Sequence, residues 1–118
     1  MPLAPSSRLI PRHYFENDPK GLTSAIQKGQ LTLGAEATSQ PVQILMDSPA
    51  PKFNLGKTSV TPVWYTTLWH VVYTVGWNTT TPVAGQRAVV KSVHDAAGVL
   101  RAYAPDGAAY PNEADIYE

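Results

Sequence analysis

The sequence predicts an α+β fold: a small antiparallel sheet of three to four strands with two helices packed on one face, in the order α-β-β-β-α-β. Three observations predict it. Two stretches place apolar residues at helical spacing, each with a proline at its start. Between them, "VWYTTLWHVVYTVGW" (Val63–Trp77) is β-branched and aromatic throughout. The chain has 118 residues, 43% hydrophobic and 15% charged, which suits one ordered domain with a single core.

Taken in order, residues 1–17 carry three prolines and little periodicity, so they are expected to form an extended arm ahead of a folded part, residues 18–118. Asp18 caps the first helix, with Pro19 at its first position. Leu22, Ala25 and Ile26 form its apolar stripe, and Gly29 is expected to close it. From Leu31 the period drops to two, with Leu31, Leu33, Ala35 and Ala37 on one side of a strand. "PVQILMD" (Pro41–Asp47) is a second short strand with Val42, Ile44 and Met46 on one face. Four prolines and glycines make Ser48–Pro62 a loop.

Val63–Trp77 is expected to be one long strand, apolar enough on both faces to be covered on both. Tyr65, Thr67, Trp69, Val71, Tyr73, Val75 and Trp77 share the face that packs under helices. Trp64, Thr66, Leu68, His70, Val72 and Thr74 share the other. That second face mixes apolar groups with a few polar ones, as ligand pockets do. Thr81 and Pro82 begin the second helix, which runs to about Tyr103 with Val83, Val90, Val93, Ala97 and Leu100 at helical spacing. Pro105-Asp106-Gly107 then turns the chain into a strand-like tail on which Tyr110 and Asn112 share a side.

Composition excludes several classes. Nine basic and nine acidic residues give zero formal charge, and no basic stripe marks a nucleic-acid binder. No apolar run approaches the roughly 20 residues that span a bilayer, and the N-terminus lacks the pattern of a secretory signal. A cytoplasmic protein is expected. With no cysteine there is no disulfide, thiolate metal site or cysteine nucleophile. His13, His70 and His94 are too dispersed for a zinc site, and no Walker A, G-x-S-x-G or dinucleotide turn is present. Zero net charge and a small sheet with bare edges favour a homodimer.

Three segments, "SSRLIPRHYFE" (Ser6–Glu16), "LWHVVYTVGW" (Leu68–Trp77) and "LRAYAPDGAAYPNEAD" (Leu100–Asp115), together resemble the substrate-binding domain of fungal FAD-linked oxidases, the berberine-bridge-enzyme-like group. The likeness runs over nearly the whole chain and is poorest around Gly34–Ser59. It implies that Tyr110, the tyrosine of the "AY-x-N" stretch, acts as or beside the base on the substrate hydroxyl, and that His70 faces the substrate. The sequence departs from the family at Val72, where relatives carry a second polar group. It departs again at Pro111, which stands for an aliphatic residue and lacks a ladder N–H. The flavin-binding segments of the family are not in this sequence, so no flavin or other cofactor is expected.

The resemblance and the residues together point to catalytic His70 and Tyr110, with Trp64, Thr66, Leu68, Val72, Thr74 and Asn112 binding a small hydrophobic metabolite. A phenol is a poor base at neutral pH and a good donor, so Tyr110 is expected to orient or protonate a ligand oxygen. The plainer readings are that His70 is a core histidine and Tyr110 an aromatic at the rim of a sheet. Three functions compete: a cofactor-independent cyclase, isomerase or pericyclic catalyst of fungal natural-product biosynthesis, a ligand-binding module or subunit, and an inactive oxidase fragment.

Overall fold

The computed structural model describes residues 1–33, 38–39, 43–46, 61–111, 114 and 116–117. Its elements are β1 (Leu3–Pro11), α1 (Arg12–Asn17), α2 (Pro19–Leu31), β2 (Thr38–Ser39), β3 (Gln43–Met46), a 3-10 turn (Pro62–Tyr65), β4 (Thr67–Gly76) and α3 (Val83–Tyr103). The class is α+β, with an antiparallel sheet and helices on one side, as the sequence predicts.

β4 is the central strand. β1 runs antiparallel along one edge, with Leu3 opposite Gly76, Ser7 opposite Val72 and Leu9 opposite His70. β2 and β3 take successive lengths of the other edge, Thr38 opposite Gly76 and Leu45 opposite His70. Beyond β1 the chain returns once more: Leu9 N–H donates to the Ala108 carbonyl at 2.7 Å, forming a single antiparallel bridge.

Alternation along β4 sorts its side chains between two faces. Val71, Tyr73 and Val75 enter one core with Ile10 of β1, Leu22, Ala25 and Ile26 of α2, and Val89, Val93, Ala96 and Leu100 of α3. Tyr73 is fully buried there, and its hydroxyl donates to the Ile26 carbonyl at 2.9 Å. That bond supplies the partner a buried phenol requires. Burial pushes the Tyr73 phenol well above its ordinary pKa.

The caps follow the sequence. Asp18 accepts from Gly21 N–H at 3.2 Å, with Pro19 opening α2. Pro82 precedes α3, whose buried stripe is Val89, Val93, Ala96, Ala97 and Leu100, while Val83 is exposed. No helix among the described residues is long and apolar enough to cross a membrane.

Four expectations are corrected. Residues 1–17 are not an arm: they form β1 and α1, and Ser6 to Pro11 are buried. A strand covered on both faces shows no alternation, and its prolines disguised it. Leu31 ends α2 and does not begin a strand; of the residues predicted to follow it on one face, Leu33 lies past the helix end, Ala35 and Ala37 lie outside the described residues, and the strand that is described begins at Thr38. Gly29 lies inside α2, buried, two residues before its end. Val63–Trp77 is not one strand. Pro62 sets a 3-10 turn, which Thr66 and Thr67 fasten by hydroxyl bonds to the Val63 carbonyl at 3.2 and 2.7 Å, and the strand starts only at Thr67.

Candidate functional site

The face of the sheet turned away from the helices carries Leu68, His70, Val72 and Thr74 of β4. Strand register adds the residues opposite them: Pro5, Ser7 and Leu9 of β1, and Leu45 of β3 opposite His70. Leu9 and Ser7 are completely buried, His70 and Val72 are 4% exposed, and Leu68 is 9% exposed. Thr74 is half-buried. The bridge at Ala108 places Tyr110 on the same side, opposite Ser7, whose hydroxyl accepts the Tyr110 backbone N–H at 3.2 Å.

Three rings meet on this face. His70 and Tyr110 have centroids 5.6 Å apart at 89°, Trp64 and Tyr110 are 5.4 Å apart at 82°, and Trp64 and His70 are 5.7 Å apart at 81°. Each ring is therefore nearly perpendicular to the other two. Edge-to-face packing sets the positive edge of one ring on the negative face of the next, worth about 0.5–1.5 kcal/mol a pair beyond area burial. Trp64 and Tyr110 are half-buried, so they form the accessible side of the corner, and His70 sits behind them.

The structure thus brings together His70, Tyr110 and Trp64, with Leu68, Val72 and Thr74 on the same face. Trp64 arrives from the 3-10 turn instead of from the strand. Thr66 is separated from them. It lines a cleft of about 340 Å³ with Pro11, Arg12, His13, Glu16 and Tyr65, because the turn breaks the alternation that put it beside His70. Asn112 lies outside the described residues.

Ser7 was missed because its segment read as an arm. A second missed feature clasps the turn that precedes Tyr110. The Asp106 carboxylate accepts from the Tyr14 hydroxyl at 2.5 Å and pairs with His13 Nε2 at 2.7 Å. Burial opposes its ionisation, but the bonds from Tyr14 and His13 outweigh that and hold the carboxyl below its usual range. The same bond to Asp106 is the chief cause that lifts the Tyr14 phenol to about 12. Arg8, 6% exposed, donates from Nη2 to the Ala104 carbonyl at 3.4 Å at the start of this turn. Gly107 passes so near β1 that a Cβ there would lie 2.4 Å from the Leu9 carbonyl oxygen. No local pattern announces these contacts, since His13 and Asp106 are 93 residues apart.

Among the described residues, no group of three or more His, Cys, Asp or Glu is placed to hold a metal ion. What the corner offers is an imidazole, a phenol and an indole on a face whose other groups are apolar apart from the Ser7 and Thr74 hydroxyls: hydrogen bonding and proton transfer beside a largely hydrophobic surface. Comparison with models of known protein families, with characterised proteins and with solved structures finds no match to this chain.

Proposed function

We propose that this chain is a cofactor-independent enzyme acting on a small hydrophobic metabolite, a cyclase or isomerase of fungal natural-product biosynthesis, with Tyr110 and His70 as its acid-base pair. The observation that supports it is the 5.6 Å perpendicular packing of the His70 and Tyr110 rings, with Trp64 on both, on the sheet face opposite the helices. Tyr110, the more accessible of the pair, donates to a ligand carbonyl, and His70 behind it exchanges the proton. Trp64 supplies an apolar wall. Holding a flexible precursor against such a wall lowers the entropic part of a cyclisation barrier, and a placed donor polarises its carbonyl. The metabolite class and the fungal setting come from the likeness of Ser6–Glu16, Leu68–Trp77 and Leu100–Asp115 to the FAD-linked oxidases. A cytosolic setting belongs to the same proposal; a chain without cysteine has no disulfide that would need an oxidising compartment.

The test is turnover of enolisable polyketide-like ketones by flavin-free protein, followed by mass spectrometry with and without added FAD. Turnover that FAD leaves unchanged, and that falls about 10²-fold in Tyr110→Phe, is the expected result. Turnover that requires FAD overturns the reading. Saturable binding of the same ketones with no product favours the second reading, a ligand-binding module built on the same corner.

A homodimer through the sheet is part of the proposal. Leu3, Ile44 and Leu45 on its edge strands are exposed, and zero net charge opposes self-association least. The proposed contact is built on these edges and not on an exchanged N-terminal arm, a choice supported by the pairing of β1 with β4 of its own chain. Light scattering that returns a 12.8 kDa monomer at micromolar concentration rules the dimer out.

A further inference from the structure

We infer that Ser7 is the positioning residue that lets Tyr110 reach His70, by being small and by anchoring the Tyr110 backbone. The inference rests on the proposal that Tyr110 is the group a ligand meets. Its geometry can be tested without turnover.

The difficulty that Ser7 resolves is one of distance. His70 lies on β4 and Tyr110 on the returning tail, with β1 between them. Adjacent strands are about 4.8 Å apart, so the two backbones run roughly 9.6 Å apart, and Tyr110 stands a further two residues along from the level of His70. Yet the ring centroids are 5.6 Å apart. The rings close that gap only by leaning toward each other across β1, above the side chains that β1 presents on this face. Those are Leu9, opposite both His70 and Ala108, and Ser7, opposite Val72 on one side and Tyr110 on the other.

Alternation puts Ser7 directly beside the Cα of Tyr110, where a larger side chain would stand in the path of the ring. Ser7 is completely buried on this face, so a larger side chain there has no solvent to turn into. Its hydroxyl also accepts the Tyr110 N–H at 3.2 Å, which fixes the height of the tyrosine along β1. That bond comes from the side chain and not from a ladder carbonyl. One residue therefore sets both the clearance and the register. The turn before it is held independently by Arg8 at Ala104, by the Leu9–Ala108 bridge and by the Asp106 clasp to His13 and Tyr14.

The experiment reads the ring protons of His70 by NMR on the full chain, since a perpendicular aromatic ring displaces them. Tyr110→Leu calibrates the displacement that the tyrosine ring contributes. Ser7→Val fills the path and removes the acceptor, and it should move the His70 protons to their positions in Tyr110→Leu. Ser7→Ala keeps the path open and removes only the acceptor, so it should give a smaller move in the same direction. The methyl signals of Val71, Val75 and Val93 report on the core and should stay in place. If Ser7→Val does not fold, Ser7→Ala alone decides. His70 protons unmoved in the folded Ser7 variants, or unmoved in Tyr110→Leu, overturn the inference. Where product is detected, Ser7→Ala should lower kcat while the protein stays folded at the assay temperature, with only the modest stability loss of one hydrogen bond. Where none is, the NMR result still stands on its own, so failure of the enzyme proposal and failure of the positioning role are told apart.

Discussion

Gly29 leaves the space that the Tyr73 hydroxyl occupies: a Cβ at position 29 would lie 2.2 Å from that oxygen and 3.0 Å from the Ala96 carbonyl. The phenol passes under α2 to bond the Ile26 carbonyl, so the helix, the central strand and α3 converge at this glycine. Gly29→Ala gains helix propensity in principle. Here the clash with a fixed ring and with backbone decides the sign, and a loss of about 1–3 kcal/mol is expected. Urea denaturation measures it. Adding Tyr73→Phe should recover part of the loss, because the two sites couple through the contact.

Sequence showed Gly29 as a stop because glycine ends helices so often. That a tyrosine on a strand 44 residues later needs the same space is a tertiary fact that no local pattern encodes. The opposite case is α3, whose stripe from Val89 to Leu100 was legible because one periodic face meets one core. β1 was illegible for a third reason: burial on both sides erases alternation, and Pro5 and Pro11 look like loop residues until their strand partners are known. The site divides in the same way. His70 and Tyr110 stood out as polar groups at fixed parity. Ser7, Asp106 and His13 act only through residues distant in sequence, and Thr66 was misplaced by a turn that starts at Pro62.

Alkaline titration should separate the tyrosines. The Tyr14 phenol is raised to about 12 by its bond to Asp106 and by burial, and Tyr103 to about 12 by burial and its bond to Asp18. Tyr73 is raised further by burial alone. A raised phenol stabilises the fold fully below the unfolded value of about 10, and that contribution is lost as pH climbs through the folded value. Phenolate absorbance from Tyr14, Tyr73 and Tyr103 should therefore appear as a late stage, above about pH 11. Tyr14→Phe should remove one equivalent from the late stage. A late stage that Tyr14→Phe leaves unchanged contradicts the clasp.

Asp106 predicts the opposite end of the scale. Its carboxyl is depressed, so its contribution is present above the unfolded value near 4 and fades as pH falls through the lower folded value. Both partners of the His13–Asp106 pair are 52% exposed, and solvent screening keeps the effect below about 1 kcal/mol. Asp106→Ala should lower stability slightly at neutral pH and flatten its acid dependence. Chemical denaturation at a series of pH values compares the two slopes. Equal slopes in both proteins would mean that the clasp does not form in solution.

The ring corner yields the prediction that separates a catalytic pair from mere core packing. Tyr110→Phe keeps the ring and removes the hydroxyl, so the contacts at 5.4 and 5.6 Å survive and stability should change by less than about 0.5 kcal/mol. Tyr110→Leu and Trp64→Leu each remove a ring. Combined, they should reveal a coupling of about 0.5–1.5 kcal/mol, the size of an edge-to-face pair. His70→Ala opens a gap behind both rings and should cost stability as well as any turnover. If the rings serve packing alone, activity will follow stability through all four variants. If Tyr110 donates to a ligand, Tyr110→Phe breaks that correlation, with stability kept and rate lost. Thermal melts paired with product assays on the same four proteins decide between the two patterns. A Tyr110→Phe protein with full activity removes Tyr110 from the chemistry, whatever its neighbours do.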